Sequence, residues 1–369
     1  MKEELLLRDH IISELKNKLR SGSSDATSDV EVAEEAVKEG GKSKEARYSI
    51  TGRMLLQVHK RSSTLQASFI NVYHATNPKS KQYHIDLETT VNDIKFSADS
   101  QLLAIACNNK TVKLYAAKSG GLEHIFFGAS EHLTSVDLTP TLVVSASTSV
   151  HVWSIHDKKL LHTLNGHTKH VYGLGTTDVR AVSGSCDRTI KIWELNQGEC
   201  LKTIDSTSIV NDLTISNLSN MFFSVHHDSH IRTFDLRSFN KLEEHKVHNG
   251  QVLSVAISAD DRHVVTCGQD SICKVWDARV GFGSPVYTLK ADGFKTNVSK
   301  TKAVLSPCGT FVASGSNCGH VFVWHLVDGT PLVSEMKEHN IASTCCAWSR
   351  DGKQVASSSI DRRLCLYAE

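Results

Sequence analysis

The chain has almost no excess charge of either sign: 41 lysines and arginines stand against 40 acidic residues, for a net charge of +1. That balance supplies none of the excess positive field expected of a nucleic-acid binder, so nucleic acid is not expected as the main partner. None of the 10 cysteines is spaced C-x-x-C, and the adjacent pair Cys345 and Cys346 would point to opposite faces of a strand. They read as reduced, mostly buried thiols. No apolar run approaches the roughly 18 residues that cross a bilayer. The first residues, MKEELLLRDH, carry acids where a signal peptide has a basic region. A cytoplasmic protein is expected, at most peripheral to a membrane.

With 40% hydrophobic and 22% charged residues, the composition is that of a folded domain able to bury a core. Self-similarity then dominates. A short apolar run ending in an aromatic recurs seven times: VKLY at Tyr115, VHVW at Trp153, IKIW at Trp193, IRTF at Phe234, CKVW at Trp276, VFVW at Trp324 and LCLY at Tyr367. Successive aromatics lie 38, 40, 41, 42, 48 and 43 residues apart. Within one period the text resolves into four alternating runs, such as VYGLG, AVSGS, TIKIW and CLKTI, separated by turn residues. Periods of about 40–45 residues with four strands each resemble WD repeats, which arrange their sheets radially and leave only short, protected edges. The expected fold is therefore all-β: a seven-bladed WD-repeat β-propeller over residues 81–369. The last copy stops at Tyr367 and lacks an outer strand, and the segment QYHIDLE, residues 82–88, is placed to supply it. The two ends of the propeller would then share one sheet.

Six residues before the terminal aromatic stands a polar turn residue in five copies: Asn109, Asp187, Asp228, Asp270 and Asp361. In the third copy, His167, Ser185, Asp187 and Trp193 match the hydrogen-bond chain of WD repeats. The resemblance implies that Asp187 caps a tight turn and binds His167, which bonds through Ser185 to the Trp193 indole. Ser, His and Asp also make a hydrolase triad, yet partial copies recur as His248, Asp270 and Trp276 and as His339 with Asp361, whereas a nucleophile is unique. No G-x-S-x-G elbow surrounds Ser185. No catalytic residue is expected. His226, His227 and His230 cluster around Asp228, but no zinc-like spacing with cysteines accompanies them, so neither metal nor cofactor is expected.

Ahead of the propeller, residues 1–20 place Leu5, Ile12 and Leu19 seven apart with Leu15 between, which predicts a short amphipathic helix, a possible coiled-coil stub and homodimer contact. Residues 21–80 are expected to form a linker, Ser/Asp/Glu/Gly/Lys-rich and flexible up to Lys44. Its later part, 52–73, mixes Met54, Leu55, Leu56, Phe69 and Ile70 with Arg53, Lys60 and Arg61, so it could touch a membrane surface or pack on the propeller.

Residues 160–369 resemble the C-terminal propeller of the autophagy-related protein 16-like family. The stretches VSGSCDRTIKIWELNQGECLKTI and STSIVNDLTISN carry the likeness, and residues 291–329, with an insertion that accounts for the spacing of 48, carry it furthest. The weaker blades before residue 160 fit in order, so the similarity covers about four-fifths of the chain. The resemblance implies a scaffold whose N-terminal part binds the autophagy protein 5 conjugate, dimerises by coiled coil and directs lipidation of a ubiquitin-like modifier on forming autophagosomes. In this chain the N-terminal binding helix and long coiled coil of that family are expected to be absent or reduced to an eighteen-residue stub, so a truncated isoform, or a propeller acting mainly as adaptor for membrane and cargo proteins, fits equally well. A second reading is a substrate receptor of a cullin-type ubiquitin ligase, because VWDAR, ending at Arg279, resembles the WD-x-R box of such receptors and FDLR, residues 234–237, nearly does. For protein contact, the loops leading into the inner strands and those preceding the polar turn residue offer Cys186, His227, Gln251 and Gln269.

Overall fold

The computed structural model describes residues 32–35, 45–50, 54–59, 80–216, 218–296, 301–326, 332–337 and 339–368. The chain divides into two compact units, residues 1–76 and 77–369. In the first, strands Val32–Glu35, Glu45–Ile50 and Met54–His59 make an antiparallel sheet in sequence order, in register Val32↔Ile50 and Ile50↔Met54. Part of the expected linker is thus strand, and the reason is visible in the text: RYSI and MLLQV carry the aromatic and branched residues that favour a pleated backbone. The helix expected over 1–20 lies outside the described residues, as does most of 52–73.

Among its described residues, the second unit consists of seven four-stranded antiparallel sheets and no helix. Six of them, blades one to six, are each built from four consecutive strands, of which Val171–Thr176, Arg180–Ser185, Thr189–Glu194 and Glu199–Asp205 of blade three are typical. The inner strand of every blade touches the inner strands of its two neighbours, so the ring is closed. Closure uses both ends of the unit. Blade seven takes Ser343–Trp348, Gln354–Ser359 and Arg363–Ala368 from the C-terminal end and Ser80–Asp86 from the N-terminal end. Leu364 pairs with Ile85 and Ala368 with Ser80, and Leu87 donates its backbone N–H to Arg362 at 2.8 Å.

The recurring aromatics explain why the sheets pack. Tyr115, Trp153, Trp193, Phe234, Trp276, Trp324 and Tyr367 are all buried, and burial of such a side chain contributes about 2–3 kcal/mol. In six blades the register shifts by one residue just before this aromatic, for example between Ile192 and Trp193. A bulge there re-aims the ring into the gap between sheets. Where blades three and four approach, only glycine fits: a Cβ on Gly173 would come within 2.7 Å of the Leu213 backbone nitrogen.

Candidate functional site

The polar residues singled out by the sequence form a relay inside blade three. His167 Nδ1–H donates to Asp187 Oδ2 at 2.8 Å, Ser183 Oγ–H donates to His167 Nε2 at 2.7 Å, and Trp193 Nε1–H donates to Ser183 Oγ at 2.8 Å. Asp187 also accepts the Thr168 backbone N–H and both the N–H and hydroxyl of Thr189. Burial would raise the Asp187 pKa, but bonds from Thr189, Thr168 and His167 outweigh it and hold the carboxyl below the usual range. Burial pushes the His167 imidazole down, which favours the neutral ring that this donor order requires.

The serine expected in the relay is the wrong one. Ser183, not Ser185, bridges His167 and Trp193. Ser185 Oγ instead donates to the carbonyls of Lys169 and His170 and accepts the Asp187 backbone N–H, pinning the turn to the loop that leads into the blade. Both serines lie on one face of the strand, but two residues of strand separate them by about 7 Å, so only Ser183 reaches the indole.

Blade five repeats the relay as Trp276, Thr266, His248 and Asp270, with bonds of 2.9 to 3.0 Å, and blade seven as Tyr367, Ser357, His339 and Asp361. Blade four lacks the loop histidine and rebuilds the contact from the strand: His226, fully buried, bonds Ser224 at 2.8 Å. Its turn aspartate, Asp228, is held by the buried Arg232, which also reaches Glu244 at 2.7 Å. Asp228, His230 and Glu244 are close enough to share an ion, yet the Arg232 guanidinium already bonds both carboxylates. Blades two and six have Ser147 and Cys318 where the others carry the polar turn residue; there the indoles of Trp153 and Trp324 donate to the carbonyls of Phe127 and Lys290 instead.

This arrangement suits architecture. The hydroxyl of Ser183 and the ring of His167 are both sealed from solvent, so no scissile group can approach them. At one end of the blades the turns after the second strands meet the links into the inner strands. There the backbone N–H of Cys186 bonds His170 O, that of His227 bonds Ile209 O, and that of Gln269 bonds Gln251 O at 2.8 Å. Cys186, His227 and the Gln251–Gln269 pair therefore occupy equivalent places on three consecutive blades, three to five. His227 and Gln269 are exposed, Cys186 and Gln251 half-buried. Arg279 lies at the opposite end of the blades, where its guanidinium folds back on Asp277 in a two-pronged ion pair of 3.0 and 2.7 Å.

The family described as "WD domain, G-beta repeat" matches residues 80–116, 158–194, 239–277, 283–325 and 330–367, more than half of the chain. The chain is 30% identical over 281 residues to Autophagy-related protein 16 of Arabidopsis thaliana, covering 74% of this chain and 55% of that protein. It is 31% identical over 279 residues to Protein tipD of Dictyostelium discoideum, 73% of this chain and 45% of the relative. To Protein Atg16l2 of Mus musculus it is 31% identical over 285 residues, 75% and 45% of the two chains. The chain spans about half the length of these curated relatives. A propeller of seven sheets with the Trp–Ser/Thr–His–Asp relay, matched by the repeat family over most of its blades, makes this chain a member of the WD domain, G-beta repeat family, similar in its propeller to autophagy-related protein 16 and its kin.

Proposed function

We propose that the chain is a non-catalytic scaffold of autophagy whose propeller captures protein partners at the mouth formed by blades three to five. Through them it would act at sites of autophagosome formation and support lipidation of a ubiquitin-like modifier. The carrying observation is the division of labour within the ring. Serine, histidine and aspartate are consumed by buried relays, while Cys186, His227 and the Gln251–Gln269 pair stand in equivalent, partly or fully exposed places on neighbouring blades. Loops held by such a rigid frame are suited to recognition. The partners are membrane and cargo proteins on the propeller, and the autophagy protein 5 conjugate only if the N-terminal segment suffices to engage it. The protein works in the cytoplasm, peripherally on precursor membranes.

The test is affinity purification of the full chain, of residues 81–369, and of a His227→Glu/Gln251→Glu variant. Partners of the mouth are retained by residues 81–369 and lost from the variant, whose melting temperature is unchanged. Retention of every partner by the variant would sink the proposal. Recovery of a cullin adaptor that depends on Arg279 would support the ligase-receptor alternative in its place.

A further inference from the structure

At the end of the blades opposite the mouth, a cleft of about 460 Å³ opens between blades four and five. Its floor is apolar, made by Met221, Phe223, Ile257 and Ala278. Beside it, the turn 277–285 is pinned by the buried Phe282, which packs on Phe223 and Trp276 with ring centroids 5.9 and 5.8 Å apart. That anchor leaves the neighbouring Val280 84% exposed, and across the cleft Leu218 is 69% exposed. Leu218 lines the cleft and Val280 stands beside it, so an exposed apolar rim adjoins an apolar floor, the combination that contact surfaces use.

The lip carries both signs of charge, but their hydrogen-bonding capacity differs. Asp261 accepts from Ser216 Oγ and from the backbone N–H groups of Leu218 and Ser219, and Asp260 accepts from Ser258 Oγ and the Arg262 N–H. Their lone pairs serve their own turns. Arg262 reaches Asp260 only at 3.5 Å with 63% of its side chain exposed, and Arg279, though paired with Asp277, is 66% exposed. A guanidinium has five N–H donors, so both forks retain donors for an incoming acceptor.

We infer that this cleft is a second docking site, distinct from the mouth, which takes a short segment of a partner protein presenting a large apolar side chain beside a carboxylate. The apolar side chain fills the floor between blades four and five, and the carboxylate bonds Arg262 and Arg279. The two faces together would let one ring hold two partners at once.

The test is selection of a phage-displayed library of random peptides of about twelve residues on the full chain, followed by fluorescence-polarisation titration of the enriched peptides. The expected result is enrichment of sequences that pair an aromatic or large aliphatic residue with a nearby Asp or Glu. These should bind an Arg262→Glu/Arg279→Glu variant about tenfold or more weakly, and a His227→Glu/Gln251→Glu variant as tightly as the parent. Both arginines are solvent-exposed, so the melting temperature of their variant should match the parent and certify its fold. Absence of enrichment, enrichment of basic sequences, or equal binding to the arginine variant would each overturn the inference. Loss of binding only in the mouth variant would assign the peptides to the mouth and overturn it as well.

Discussion

Lys302 Nζ donates to Asp93 Oδ2 at 2.9 Å across 209 residues of sequence, joining the segment that leads into blade six to the inner strand of blade one. The same ammonium lies 3.8 Å from Asp212 on the inner strand of blade four. One side chain thus reaches past blades five and seven to bond blades on either side of its own. Burial favours the neutral amine, but Asp212 and Asp93 overcome it and raise the Lys302 pKa, so the lysine stays charged. Asp93 is further bound by Ser135 Oγ and the Val136 N–H of blade two.

Replacing Lys302 by methionine keeps the stem and removes the charge, leaving two carboxylates inside the ring without their cation. Breaking a buried pair in this way costs about 3 kcal/mol. Lys302→Met should therefore lower the urea midpoint with little change in slope. An unchanged midpoint would mean that the axial contact contributes nothing.

In blade three, Asp187→Ala should cost about 2–4 kcal/mol, and Ser183→Ala about 1–3 kcal/mol, since each orphans a buried partner. Because one histidine couples them, the double variant should lose less than the two singles combined. Additive losses in a double-mutant cycle would show that the relay is not a unit.

The buried His226 has its pKa pushed down to about 4, by burial first and then by the neighbouring Arg232 charge. A folded pKa below the unfolded value of 6.5 means that the unfolded chain takes the proton more readily. Stability from the neutral ring is complete above the unfolded pKa and is lost as pH falls from 6.5 towards about 4. The span corresponds to roughly 3 kcal/mol. Denaturation midpoints of the parent and of His226→Gln, compared at about pH 7 and about pH 4.5, should converge as the solution is acidified. A constant gap would rule out titration of this residue.

Gly173→Ala should destabilise by about 1–3 kcal/mol, because the added methyl meets backbone and not a movable side chain. Thermal melting measures it. A stability equal to the parent would show that blades three and four can separate locally.

The number of blades and their closure were legible because the terminal aromatics recur at regular spacing and QYHIDLE, ahead of the first blade, has the alternation of the outer strand that the seventh copy takes. The relay serine was not, since Ser183 and Ser185 share a strand face. A comparison among copies carries the missing signal: Thr266 and Ser357 match Ser183 in place, whereas Gly268 of blade five stands where Ser185 does and has no hydroxyl. His226 was seen as one of a cluster, though it ends a strand on its inward face while His227 begins the exposed turn that follows. The axial contact of Lys302 had no local signature, because its partners lie on blades that are not adjacent in sequence. The cleft between blades four and five also depends on two turns that only the ring brings together.

The shared seventh sheet sets an order of events during synthesis. Residues 80–86 leave the ribosome before any other strand of the ring, yet the strand they pair with, Arg363–Ala368, follows all the others. Until then the growing chain carries an unpaired edge at each end of an open array, a template for wrong pairing. Loss of strand Arg363–Ala368 would therefore do more than shorten one sheet: it would leave the ring unable to close, with unpaired strand edges exposed.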